Sequence, residues 1–129
     1  MYELMVKTHF AAAHQLKEAG GGCERLHGHT WKVEVFLQGE KLGKEGMLMD
    51  FREVKRIVKR WVDKLDHQYL NEILKEINPT TENLAKYLFE GLEKDIDSER
   101  VKLSKVKVWE AEDTCVSYGK KGMNYEEKG

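Results

Sequence analysis

What this chain has little of narrows it first. Among 129 residues there are two cysteines, Cys23 and Cys115, and the opening stretch MYELMVKTHF shows no basic segment followed by an apolar run. A cytoplasmic protein with unpaired thiols is therefore expected, rather than a Cys23–Cys115 bridge. No stretch approaches the roughly 20 apolar residues needed to cross a bilayer, which sets aside a spanning helix. Neither charge dominates, with 22 Lys and Arg against 23 Asp and Glu. The basic excess usual in nucleic-acid and membrane-surface binders is thus missing, and neither partner is expected. Proline occurs once and glutamine three times while Glu and Lys abound, a bias compatible with a thermophilic source. Repeats, low-complexity tracts and linkers are lacking too. A length of 129 residues at 40% hydrophobic content suits one domain, spanning 1–129, with a modest core.

What is present is strongly periodic. Residues 2–14 alternate, with Leu4, Val6, Phe10, Ala12 and His14 on one parity, which predicts a strand with one apolar face. Residues 29–38 do the same: Trp31, Val33, Val35 and Leu37 on one face, Lys32, Glu34 and Gln38 on the other. From Asp50 the period changes to that of a helix, carried by Val54, Ile57, Val58, Trp61, Val62 and Leu65. Asp50 followed by Glu53 reads as a capping box that starts this helix near Phe51. A second helix follows Pro79, capped by Thr80 or Thr81, with Leu84, Ala85, Leu88, Phe89 and Leu92 as its buried stripe. Residues 101–110 and 115–120 return to strand character. The order strand, strand, helix, helix, strand, strand predicts an α+β fold, a four-stranded antiparallel sheet with its helices on one face. Two open edges and one bare face call for association with neighbouring subunits.

The chemistry-bearing residues gather in a few places. Side chains two apart on a strand share a face, so His27 and His29 of "HGH" form a pincer for a cation, with His14 of the partner strand as a third arm. Three neutral imidazoles suit zinc, and three protein ligands with one open position is the catalytic pattern. Cys23, just after "GGG", either closes a His3Cys site and makes the metal structural, or stands free as a thiolate near the cation. Asp66 and His67 directly follow the first helix. They read either as a carboxylate orienting an imidazole or as a solvated helix end. Glu110 shares parity with Val106 and Val108, so it either meets a partner on the apolar face or has already emerged into the turn.

Taken in order, FAAAHQL, CERLHGHTWKVEV, GMLMDF, LDHQYLN, NPTTENLAKYL and VKVWEAEDT resemble the 6-pyruvoyl-tetrahydropterin synthase and 6-carboxy-tetrahydropterin synthase family over nearly the whole chain. The resemblance implies a tunnelling fold (T-fold), in which the sheets of three subunits join into a barrel and two trimers stack into a homohexamer. It implies zinc on His14, His27 and His29, with Cys23 as catalytic thiol and Asp66 and His67 completing a proton-transfer triad, often across a subunit interface. It also implies that Glu110 anchors the guanidine-like edge of a pterin by paired hydrogen bonds, helped by Thr80, Thr81 and Glu82. The short spacer in C-x3-H-G-H resembles the enzymes of queuosine and archaeosine biosynthesis. These convert 7,8-dihydroneopterin triphosphate to 6-carboxy-5,6,7,8-tetrahydropterin, releasing acetaldehyde and triphosphate. The pyruvoyl-forming phosphate lyase of the biopterin pathway carries a longer spacer and is the runner-up. A folate-directed subfamily making a hydroxymethyl-dihydropterin has Glu near the cysteine position, where this chain has Glu24 but keeps the thiol. From another class, a non-catalytic zinc or pterin-binding module with Cys23 as fourth ligand also fits the residues.

Overall fold

Alternating apolar side chains over thirteen residues each produce two long strands, β1 (Tyr2–His14) and β2 (His27–Gly39). They pair antiparallel without interruption from Tyr2–Gly39 to His14–His27. The computed structural model describes residues 1–18, 22 and 24–120. After the helices come β3 (Lys102–Ala111) and β4 (Thr114–Gly119), and the sheet order is β1-β2-β3-β4, antiparallel throughout. Two irregularities interrupt β3. Opposite Phe36 and Leu37 the register slips at Ser104, whose buried hydroxyl donates to the Phe36 carbonyl at 3.1 Å. This slip turns both Leu103 and Val106 inward, which strict alternation forbids. The second lies between Trp109 and Ala111, so Glu110 sits at a break in the β3–β4 ladder.

Three helices follow β2: α1 (Phe51–Val62), the short α2 (Leu70–Ile73) and α3 (Thr81–Ile96). The α1 and α3 starts fall where the sequence placed them, whereas α2 is too short to leave a periodic signature. Asp50 does cap α1, but its side chain accepts from the Arg52 amide rather than from that of Glu53, so the forward arm of the expected capping box is shifted by one residue. Thr80 caps α3 by accepting from the Asn83 amide at 3.1 Å. The stripe Leu84, Leu88 and Leu92 is fully buried against the sheet, each leucine contributing about 1.5–3 kcal/mol. Leu65 is equally buried, although it lies in the turn beyond α1 rather than on it. Where α1 meets α3, Gly91 admits the Trp61 ring, which would stand 2.5 Å from any Cβ there. One face of the sheet is thus covered, while the other carries Lys7, His9 and Lys32 into solvent. Among the described residues no helix is long and apolar enough to cross a membrane.

Candidate metal centre

The unbroken β1–β2 pairing decides the geometry of the centre. With His14 directly opposite His27 and Ala12 opposite His29, the even face of β1 and the odd face of β2 are one surface. His14, His27 and His29 therefore converge at the end of the strand pair, each offering a ligand atom within 4.8 Å of the others. His14 is wholly buried, and the other two are partly exposed. Trp31 forms the floor, stacked on Phe10 at 5.2 Å and meeting the His14 and His29 rings edge-on at 5.0 Å.

The hydrogen bonds behind the rings set their tautomers. A carbonyl only accepts, so His14 Nδ1, 2.8 Å from the Pro79 oxygen, carries a hydrogen, as does His27 Nδ1, 2.9 Å from the Arg25 oxygen. In the neutral rings both Nε2 atoms are then bare lone pairs, yet they lie 3.1 Å apart. Two lone pairs at that distance repel unless a cation or proton lies between them. Nitrogens bound tetrahedrally to zinc at about 2.0–2.1 Å are about 3.3 Å apart. Donor type, tautomer and spacing all fit a metal ion, with carbonyls orienting the rings as is usual behind ligating histidines. Burial pushes the His29 pKa down. Nearby His14 and His27 also lower it, against the opposing pull of Glu110 and, last, Glu24. His29 is consequently neutral, and free to bind a metal, at lower pH than an ordinary imidazole.

Glu110 is brought to this centre. The break in β3 aims its carboxylate at the imidazoles, 3.6 Å from His29 Nε2 and 4.0 Å from His14 Nε2. Its side chain remains 35% exposed. It opens on a pocket of about 460 Å³ that it shares with Leu16, Glu18, Glu24, Arg25, His27 and His29. The carboxylate Glu18 in this pocket escaped sequence reading, because residues flanking a glycine-rich connection carry no period that would orient them, and Glu24 was noticed there only through the resemblance.

Asp66 and His67 are not in contact with the three imidazoles. They lie beside β1, where Asp66 Oδ1 accepts from the Ala11 amide at 2.9 Å and the His67 amide donates to the Ala11 carbonyl at 2.6 Å. Asp66 Oδ2 is 3.1 Å from His67 Nδ1, and the His67 side chain is 82% exposed. The Ala11 amide first, then His67, holds the Asp66 carboxyl below its ordinary pKa, so it is charged at neutral pH. His67 has φ 60, alone among the described non-glycine residues in taking a positive value. Strain of this kind persists only where neighbouring bonds impose it, often at functional sites. An open pocket of about 650 Å³ includes both His67 and His29 in its lining, with Ala11, Ala13 and Tyr69.

Thr80, Thr81 and Glu82 stand apart from Glu110 and its pocket. The Thr80 oxygen caps α3, Thr81 is buried and Glu82 is exposed. What this turn does supply is the Pro79 carbonyl behind His14. Cys23 lies outside the described residues, and Cys115 is an exposed free thiol on β4.

Known proteins resemble the chain over most of its length. The family described as 6-pyruvoyl tetrahydropterin synthase matches residues 3–121. Dihydroneopterin monophosphate aldolase of Pyrococcus furiosus is 40% identical over 107 residues, covering 83% of this chain and 88% of that protein. The 6-carboxy-5,6,7,8-tetrahydropterin synthase of Synechocystis sp. is 40% identical over 98 residues, 72% of this chain and 76% of the relative. Among solved structures, 6-pyruvoyl tetrahydropterin synthase of Caenorhabditis elegans superposes with a TM-score of 0.80 at 25% identity, covering 93% of this chain and 96% of the other.

Proposed function

The chain belongs to the 6-pyruvoyl tetrahydropterin synthase family, and from that premise we propose that it is a zinc-dependent lyase. Its substrates are 7,8-dihydroneopterin triphosphate and water, and its products are 6-carboxy-5,6,7,8-tetrahydropterin, acetaldehyde and triphosphate. The observation that carries this reading is the pair of Nε2 lone pairs of His14 and His27 held 3.1 Å apart by carbonyls behind each ring. His29 completes the donor set. Zinc bound there supplies Lewis-acid polarisation of the side-chain oxygens of the substrate, acidifying neighbouring C–H and O–H groups. The residues do the rest. His67 moves one proton, and the charged Asp66 carboxylate beside it favours the imidazolium that forms. The Cys23 thiol moves protons on the opposite face of the substrate. The half-exposed Glu110 carboxylate receives the guanidine-like edge of the pterin through paired hydrogen bonds. Thr80, Thr81 and Glu82 assist at that edge, the Thr80 oxygen capping α3 while its O–H remains a donor.

The uncovered sheet face, the edge of β4 and that of β1 before Ala11 support self-association, which we assign to a homohexamer working in the cytoplasm. Sedimentation of the purified protein checks the stoichiometry. A dihydroneopterin monophosphate aldolase is the second reading. It is favoured by Glu24 lining the same pocket as His27, His29 and Glu110 and by the 40% identity to a relative of that name.

One assay separates these activities. The zinc-loaded protein is incubated with 7,8-dihydroneopterin triphosphate and, separately, with the monophosphate, and products are identified by mass spectrometry. Acetaldehyde with a 6-carboxy product is expected. A 6-pyruvoyl product with the three-carbon side chain intact makes the enzyme a phosphate-eliminating lyase. Cleavage of the monophosphate to a hydroxymethyl-dihydropterin makes it the aldolase. A C23A variant that keeps zinc and loses turnover supports the thiol as a proton carrier, whereas lost zinc makes it a fourth ligand.

A further inference from the structure

From Ala11 on, the edge of β1 and of the residues after it is satisfied in a regular series, first by backbone and side-chain groups together and then by side chains alone. The Ala11 backbone is met by Asp66 Oδ1 and the His67 amide, and the Ala13 amide by the Gln68 carbonyl at 3.1 Å. At Gln15 the partner is a single side chain: Asn71 Oδ1 accepts from its amide at 2.9 Å and Asn71 Nδ2 donates to its carbonyl at 2.7 Å. Two residues on, Asn78 does the same for Lys17, at 2.8 and 3.0 Å. A primary amide offers one donor and one acceptor on the same edge, so each asparagine reproduces the two-bond exchange that a residue of a neighbouring strand makes. The period of two along 11, 13, 15 and 17 is that of a β-ladder.

The consequence lies in what the held segment leads to. On its other side the Glu24 amide donates to the Leu16 carbonyl at 2.8 Å, and the Glu18 amide to the Gly22 carbonyl at 2.7 Å. Residues 15–18 are thereby gripped from both sides, and the chain returns through Glu24 and Arg25 to His27. Asn78 is itself braced, because its carbonyl accepts from Asn83 Nδ2 at 2.8 Å. The next carbonyl, of Pro79, orients His14.

We propose that Asn71 and Asn78 are positioning residues for the reaction. Their side-chain amides extend the register of β1 past the metal ligand His14 and so fix where the returning segment presents Glu24 to the pocket of His27, His29 and Glu110. The inference rests on the lyase reading for its catalytic consequence, but not for its geometry. The three imidazoles sit on the paired strands β1 and β2, and neither asparagine side chain bonds to them, so the two roles can be told apart.

The variants N71D and N78D keep the acceptor, lose the donor and set a carboxylate against the Gln15 or Lys17 carbonyl. In the zinc-loaded enzyme each should lower kcat by about 10- to 100-fold, while KM moves less than about threefold and zinc content stays at wild-type stoichiometry. Unchanged kcat in a folded variant overturns the proposal, and so does a loss of kcat that tracks a loss of zinc. A second readout does not depend on turnover. In a C115S background, where residue 23 is the remaining thiol, the rate of iodoacetamide alkylation of the zinc-loaded protein should differ from its parent by more than about threefold in either variant. Equal rates reject the positioning role even if the wild-type chain turns over neither pterin substrate, in which case the lyase reading fails separately. Should the aspartate variants not fold, N71S and N78S, which leave the edge groups to water, provide the same comparison.

Discussion

His14, His27 and His29 sit on two long strands paired residue by residue, whereas Asp66 and His67 sit in the turn beyond α1 and reach β1 through isolated hydrogen bonds to Ala11. The first group is placed by a repeating lattice and a packed tryptophan floor. The second depends on a residue with φ 60 and a carboxylate that serves two partners at once. A metal needs donors fixed to fractions of an ångström, and regular strand geometry supplies that. A proton carrier must reach substrate, and a side chain 82% exposed is free to do so.

The largest effect should come from breaking the lattice-held group. H14A and H27A each remove a donor, and since losing even an outer hydrogen-bond partner of a ligand costs about 10- to 100-fold in metal affinity, zinc binding should weaken by more than about 100-fold. Competition with a chromophoric chelator measures it. H14A should also lower the melting temperature of the metal-free protein, because His14 is fully buried, while H27A should lower it less. Wild-type zinc retention in either variant would remove the metal centre assigned here.

At the turn, catalysis and stability should part. H67G and H67A both lose the imidazole, and under the lyase reading both should fall by about 10²- to 10⁴-fold in kcat, with zinc retained. Glycine accepts a positive φ that alanine resists, so H67G should be the more stable of the two by about 1 kcal/mol in denaturant titration. Equal stabilities would mean that the turn relaxes and that His67 is not held in its strained conformation.

These contrasts also explain what the sequence made legible. The strand period placed Trp31, Val33, Val35 and Leu37 inward and brought His27 and His29 onto the face of His14, because parity is a local rule and one-sided burial enforces it. The helix starts at Phe51 and after Pro79 were readable from caps and stripe. The break at Glu110 was not, since it arises from how β4 meets β3, and neither was the Asn71–Gln15 exchange between residues 56 apart in the chain. Thr80 and Thr81 were both readable as the cap of α3, and it is the Thr80 oxygen that accepts from the Asn83 amide.

A smaller effect should appear on titration. Burial holds the His29 pKa below its ordinary value in the folded chain, so between that lowered value and about 6.5 the unfolded state binds more protons than the native one. Stability of the metal-free protein contributed by this group is therefore complete above about 6.5 and declines as pH falls through the lowered pKa. Urea midpoints for wild type should drop over this window more steeply than those of H29Q. Parallel curves would assign the decline to other groups.

The smallest change tests the glycine of "HGH". The sequence invites the view that Gly28 keeps the space between two ligands clear, but it is exposed, and a Cβ there would meet only the Ala12 carbonyl oxygen, at an ordinary 3.5 Å. The strand period alone then sets the pincer, since residues 27 and 29 share a face whatever separates them. G28A should keep zinc affinity within about twofold and gain about 0.4–1 kcal/mol, because alanine leaves the unfolded chain fewer conformations to lose. Gly28 also lines the open pocket that includes both His29 and His67. A G28A protein that binds zinc normally but turns over slowly would therefore mean that the glycine makes room for the reacting molecule or for a second subunit, and the lattice-held centre and the turn-held pair would then meet at that one position.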